Sequence, residues 1–334
     1  MRHAARAFAA PLPLLLPESH VSTASSAPSP RKGVRRLGDK VFSGLSTTSG
    51  VLILIALALV ALFLILQAWP AITADPSEVR GGKGLVSYIG PLLFGTVLAA
   101  IIALIISVPL SIGIALFISH YAPRKLAQAL GYLVDLLAAI PSIVFGFWGL
   151  SVVGPGSKPV GNWLNEHLGW IPLFAGDASV TGKTMLVVGI VLGIMILPIM
   201  TAVNREVFLQ TPRLHEEASL ALGATRWEMI QQAVIPFGKS GIVSGTMLGL
   251  GRALGETMAV ALILSPGLPY SIELLSDNSS STIAADIALN LPESSGVATN
   301  TLVASGLVLF FVTLLVNMAA RWIVSRRSEF SGAN

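Results

Sequence analysis

Cysteine is absent from the 334 residues, and charged residues make up only 11% of them. The first absence excludes a disulfide framework, a zinc–thiolate centre and an iron–sulfur cluster. The second excludes an ordinary soluble domain, in which about a quarter of residues are charged. The five histidines (His3, His20, His120, His167, His215) form no H-E-x-x-H and no i,i+4 pair, and read as ordinary surface or interface residues. No Ser/His/Asp arrangement can be placed at one site, and no G-x-x-x-x-G-K-[ST] phosphate loop occurs. What remains is apolar. At 53% hydrophobic residues, the sequence reads as an all-α polytopic membrane protein.

A spanning helix needs about 20 apolar residues. The spacing predicts six spans, at 51–69, 90–120, 126–153, 184–204, 238–266 and 299–322. The second is too long for one perpendicular crossing and is expected to bend at Pro109. Pro141 and Pro198 read as kinks, either hinges or plain curvature. With both termini inside, sixteen of the 21 Lys and Arg fall in cytoplasmic segments and four outside. A seventh span would spoil that split. Residues 1–45 are expected as a disordered cytoplasmic tail rich in Ser, Pro and Ala, and 327–334 as a second tail, on either side of a six-helix membrane domain at 46–326. A signal peptide at 1–16 is the rival reading of the start; cleavage there would leave 31–40 outside, against the charge rule. The outer segment 267–300 carries four acids and no base, and reads as a solvated cap.

The loop 204–239 is the most informative segment. Thr211-Pro212 reads as a helix start, Gly223 as a left-handed stop, and Thr225 with Glu228 as a capping box. Pro236 is expected to end the second piece. Leu220, Leu222, Trp227, Met229 and Ile230 supply its apolar contacts. A compact helix–turn–helix on the cytoplasmic face is either a docking knob or a linker packed on its own membrane domain. A DNA-binding reading is poor, because both ends are tethered to spans and the loop is not strongly basic.

Span five holds two charges. Arg252 lies roughly 21 Å along the axis from Gly238 at about 1.5 Å per residue, too deep for simple snorkelling. With Arg252 at 0° and about 100° per residue, Gly241, Gly245 and Gly249 fall at about −20°, +20° and +60°, and Glu256 at about +40°. That stripe is expected to face protein or a wet pathway, the glycines leaving volume beside the charges. Two readings stand: an Arg252–Glu256 pair that glues helices together, or an anion path in which the Arg fork meets oxyanion oxygens. Glu256 would then accept a hydrogen bond from a protonated oxyanion. Asp135 in span three either pairs with Arg252 across helices or sits near the cytoplasmic end.

These residues carry a resemblance. Glu217-Ala218-Ser219, Gly223 and Ile235-Pro236 resemble the EAA loop of bacterial ABC importer permeases, which reads EAA, three residues, G, nine residues, I-x-L-P. Glu217, Ala218, Gly223 and Pro236 match in register, while Ser219, Ala233 and Ile235 stand for Ala, Ile and Leu. The stretch GLGRALGETMAV at 249–260 resembles the fifth-span signature of phosphate-specific ABC permeases, and DLLAAIPSIVFGFWGL at 135–150 their third span. Glu256-Thr257-Met258-Ala259-Val260 is similar to the PstC-type rather than the PstA-type subunit.

The resemblance, over roughly 45–326, implies a type I ABC importer (MetI-like) fold in a bacterial cell membrane and import of inorganic phosphate. Glu217–Gly223 would be a coupling helix seated on a separate ATPase, with Arg252 and Glu256 in the translocation path. It implies a PstA-type second permease, a PstB-type ATPase dimer and a PstS-type extracytoplasmic binding protein. It implies no cofactor in this chain, ATP and Mg²⁺ belonging to the ATPase. The rivals are an ABC permease for sulfate or molybdate, a stand-alone secondary transporter or channel, and a non-transporting scaffold.

Overall fold

The computed structural model describes residues 37–176, 179–265 and 267–325. The expectations for 1–36 and for 327–334 lie outside the described residues. The chain divides into two units, Met1–Ala56 and Leu57–Asn334. In the first, the described residues belong to helix α1 (Leu37–Thr73), and their described side chains are exposed. Residues 37–45 are therefore helical, inside the stretch expected to be disordered. No proline falls in 37–50, so the helix of the span extends toward the N-terminus through this mostly polar stretch.

In the second unit the helices, after the remainder of α1, are α2 (Leu85–Leu116), α3 (Arg124–Ala138), α4 (Ser142–Trp148), α5 (Gly154–Leu168) and α6 (Met185–Leu209). They are followed by α7 (Arg213–Ala221), α8 (Arg226–Met229), α9 (Ile235–Leu254), α10 (Met258–Ile263), α11 (Ile283–Asn290) and α12 (Val297–Ser325). No strand occurs among the described residues. Among the described residues five helices are long and apolar enough to cross a membrane, or six if one bent pair is a single span. The all-helical, polytopic architecture agrees with the sequence.

Helix α6 is the axis of the core. Thr184 caps it by accepting the Val187 N–H, and Val188, Leu192, Met195, Ile196 and Met200 are buried along it. It packs on α2 through Gly189 and Gly193, where a Cβ would lie 2.7 Å from Ile102 Cβ and 3.3 Å from the Ala103 carbonyl. Small residues let helix backbones approach where lipid gives no hydrophobic drive between helices. Helix α2 runs on through Pro91 and Pro109 and closes in a π turn at Phe117–Tyr121.

Two predicted spans are broken. The third divides at 139–141 into α3 and a segment Ser142–Leu168 that turns away by 92°. Pro141 offers no N–H and pushes Ile140 out of the helical region. The fifth ends at Leu254 and resumes at Met258. Helix α4, just after one break, seats on α10, just after the other: a Cβ on Gly146 would lie 2.9 Å from Ala259 Cα.

The outer segment 267–300 is not a solvated cap. Ser279, Ser280, Ser281 and Thr282 are buried, and so is Asp286. Tyr88 Oη donates to Asp286 Oδ2 at 2.5 Å, Asn290 Nδ2 to Oδ1 at 2.8 Å, and Arg80 to Asn290 Oδ1 at 2.6 Å. Burial pushes the Asp286 carboxyl above the usual carboxylate range, against the pull of Tyr88, Arg80 and Asn290.

Candidate functional site

The element between α6 and α9 is built from local signals. Helix α7 ends at Gly223, whose φ of 89° is the left-handed conformation glycine adopts without a Cβ penalty. Glu228 Oε2 accepts the Thr225 N–H at 2.7 Å, and Thr225 Oγ1 accepts the Glu228 N–H at 3.3 Å, which is the expected capping box.

Two expectations for this loop are corrected. The N-cap of α7 is Pro212, not Thr211, whose buried Oγ1 has no hydrogen-bond partner. Pro236 does not end the second piece, because Arg226–Leu254 is one continuous 29-residue helix. A π turn at Ile230–Val234 precedes the proline, and the Ile235 N–H reaches the Ile230 carbonyl. The wider turn absorbs the missing proline donor, so Pro236 sits in the first turn of α9, where it is tolerated.

The four residues that match the EAA pattern in register, Glu217, Ala218, Gly223 and Pro236, are exposed. Ser219 is buried and donates to Gln232 Oε1 at 3.3 Å. Met229 and Ile230 anchor the element beside Leu116 and Phe208. Leu214, Leu220, Leu222 and Trp227 stay exposed, Leu222 at 90%. Leu220, Leu222 and Trp227, expected as apolar contacts, thus stand among the exposed apolar side chains of the described residues. One link went unread in the sequence: Glu216 Oε1 lies 3.4 Å from His120 Nε2, and His120 Nδ1 lies 2.6 Å from Ser119 Oγ. Histidines spaced far apart in sequence gave no signal for it.

The charges of span five are placed differently from the helical-wheel reading. Arg252 is half-buried in the last turn of α9, where a cation suits the helix dipole. Glu256 lies beyond the helix end, is 8% exposed, and accepts the Ala259 N–H at 3.1 Å. The carboxylate thus satisfies a first-turn donor of α10 instead of standing one turn above Arg252. Glycine at 255 and this competing cap explain the break. Among the described residues the recorded ion pair is His120–Glu216, and Arg252–Glu256 is not one.

Gly241, Gly245 and Gly249 do not leave volume beside the charges. A Cβ on Gly241 would lie 2.7 Å from Val207 Cβ, one on Gly245 3.2 Å from Asn204 Oδ1, and one on Gly249 2.7 Å from Met200 Sδ. All three are buried against α6. The exposed face of α9 is another one, holding Ser240, Ser244, Leu248, Gly251 and, just past its end, Gly255. Taking Arg252 as 0°, this face spans about −40° to −120°, so Arg252 lies within the packed stripe, at its edge nearest the open face. The same wheel would have revealed it, had serine been weighed with glycine.

Asp135 is exposed on α3 and lines a cleft of about 400 Å³ with Arg124, Arg205, Gln128, Tyr132 and Ser119. Pro141 follows it by six residues, so the turn after α3 takes the chain away before this carboxylate can share a straight span with the residues beyond. The structure does not pair it with Arg252.

A family described as "Binding-protein-dependent transport system inner membrane component" matches residues 107–329. The chain is 43% identical over 300 residues to "Phosphate transport system permease protein PstC 2" of Mycobacterium tuberculosis, covering 86% of this chain and 92% of the relative. It is 45% identical over 278 residues to PstC of Mycobacterium leprae, covering 80% and 87%. It is 37% identical over 313 residues to PstC of Mesorhizobium japonicum, covering 90% and 94%. A chain in the crystal structure of a bacterial alginate ABC transporter shares the fold, with a TM-score of 0.60 and 17% identity, covering 86% of this chain and 95% of that one. The chain therefore belongs to the family of inner membrane components of binding-protein-dependent transport systems.

Proposed function

We propose that this chain is the permease subunit of an ATP-driven, binding-protein-dependent importer of inorganic phosphate. The phosphate assignment draws on its likeness to relatives described as phosphate transport permeases. The observation that carries the mechanism is Arg252 at the end of α9, on the border of an exposed serine and glycine face and beside a break in the span. A guanidinium lowers the barrier for an anion in a low-dielectric passage and presents a fork matched to phosphate oxygens. Its hold has to be weak enough for release. Glu256, anchored on the Ala259 N–H, keeps a carboxylate near that passage which can accept a proton-bearing phosphate oxygen.

The coupling route follows side-chain contacts of the element between α6 and α9. An ATPase dimer on the cytoplasmic side engages the exposed Glu217, Ala218, Leu220 and Leu222. Closure of the ATPases displaces α7. Ser219 hands the displacement to Gln232, at the base of the rod that ends near Arg252. From Arg226 to Arg252 that rod covers roughly 39 Å at about 1.5 Å per residue. Glu216 hands the displacement to His120 and so to α2. A second, homologous permease faces the open side of α9, and an extracytoplasmic binding protein delivers the anion. Both termini lie in the cytoplasm, as the basic loops favour.

The test is radiolabelled phosphate uptake by cells carrying Arg252→Ala or Glu217→Arg. Arg252→Ala is expected to reduce uptake by about a hundredfold while the ATPase still co-purifies. Glu217→Arg is expected to lose the ATPase. Uptake that survives without the ATPase, or that sulfate or molybdate outcompetes, would sink the assignment.

A further inference from the structure

The cleft beside α3 has no part in that mechanism. It holds about 400 Å³ between the end of α2, α3 and the end of α6, and its wall includes Ile118, Ala127 and Leu209 as well as polar groups. Two guanidinium groups, Arg124 and Arg205, open onto it. Among the described residues neither takes part in a salt bridge or a side-chain hydrogen bond. Arg205 is half-buried, and its guanidinium carbon would lie 3.3 Å from a Cβ on Gly131, so the glycine makes room for the fork. Asp135 lies in the same cleft beyond ion-pair distance of both arginines, which leaves the cleft cationic.

Unneutralised arginines converging on a cleft suit a phosphoryl anion, because each offers a planar fork of donors. The apolar wall and the volume exceed what a bare inorganic anion would fill, and suit an amphiphile. The outer surface of α3 carries exposed Leu126, Tyr132, Leu133 and Leu136, an apolar approach for acyl chains. The cleft lies at the same end of the bundle as the coupling element, because Ser119 on its wall contacts His120, which contacts Glu216 of α7. Basic pockets between helices on the cytoplasmic side are where anionic headgroups bind.

We propose that this cleft is a binding site for an anionic phospholipid of the cytoplasmic leaflet, its phosphodiester held between Arg124 and Arg205. The occupant braces the end of α2 where the His120–Glu216 contact receives the coupling helix. The site rests on the cytoplasmic placement proposed above but not on the identity of the transported anion.

The test uses the intact transporter complex in nanodiscs of phosphatidylglycerol and phosphatidylcholine, with bound lipid counted by native mass spectrometry. Wild type is expected to retain phosphatidylglycerol in preference to phosphatidylcholine. The double variant R124A/R205A is expected to lose that retention by roughly 30-fold, which is about 2 kcal/mol at 1.4 kcal/mol per decade. R124K/R205K keeps the charge and should keep part of the retention, which separates lost binding from lost folding. Arg321→Ala, an exposed cation at the far end of α12, should change nothing. Equal retention in R124A/R205A, equal loss in Arg321→Ala, or displacement of the lipid by millimolar inorganic phosphate would overturn the proposal. A wild-type complex that retains the lipid but imports no phosphate would overturn the transport reading and leave this site standing.

Discussion

The two faces of α9 use small residues for opposite ends. Gly241, Gly245 and Gly249 are buried, and the space a Cβ would need is occupied by α6. Ser240, Ser244 and Gly251 are small too, yet they stay exposed. On the first face smallness allows a neighbouring backbone to close in. On the second it leaves room that this chain does not fill. Smallness in a membrane helix therefore marks proximity, and only the partner decides whether the neighbour is a helix or a solute.

Substitutions can break or sharpen this contrast. The largest effect is expected from Gly241→Val, which drives a branched side chain into Val207. A loss of about 3 kcal/mol is expected, visible as a lower melting temperature of the purified complex. Arg252→Ala, on the border of the two faces, should reduce phosphate uptake by about a hundredfold, the scale for removing one preorganised charge, with melting temperature little changed. Ser244→Val should leave stability within about 0.5 kcal/mol but cut uptake by roughly tenfold, about 1.4 kcal/mol at the barrier. If Ser244→Val destabilises as much as Gly241→Val, the two faces are not different.

Glu256 sharpens the comparison at the helix end. Glu256→Ala removes the acceptor for the Ala259 N–H and should cost about 1 kcal/mol of stability. Glu256→Gln keeps an acceptor oxygen and should cost less, so a change in anion preference in that variant reports on transport and not on folding. The smallest effect concerns the outer cluster. The folded Asp286 holds its proton to higher pH than an unfolded aspartate does. Below the ordinary carboxylate range both states are protonated. Between that range and the raised value only the folded state keeps the proton, so stability falls as pH rises through the window. Asp286→Asn should flatten that slope in thermal unfolding measured across mildly acid pH.

Legibility followed the range of the interactions. Gly223 and the Thr225–Glu228 box were readable because a cap is closed by residues three or four apart. The break at 255–257 was not, because Arg252 and Glu256 at i,i+4 look like neighbours on one helix until the Glu256 carboxylate takes the Ala259 N–H. Pro236 was misread for the opposite reason: a π turn upstream lets the helix continue through a residue that usually ends one. Asp135 looked like a partner for Arg252 only while span three was drawn straight.

By itself the sequence determined that the chain is helical and membrane-spanning, because 53% hydrophobic residues in long runs allow little else. It also placed the exposed EAA element, whose stops and caps are local. Only the tertiary structure decided which face of α9 is packed, where two spans break, and that Arg124, Arg205 and Asp135 share a cleft. Those depend on residues far apart in the chain, whose meeting is set by how helices pack and not by their own periodicity.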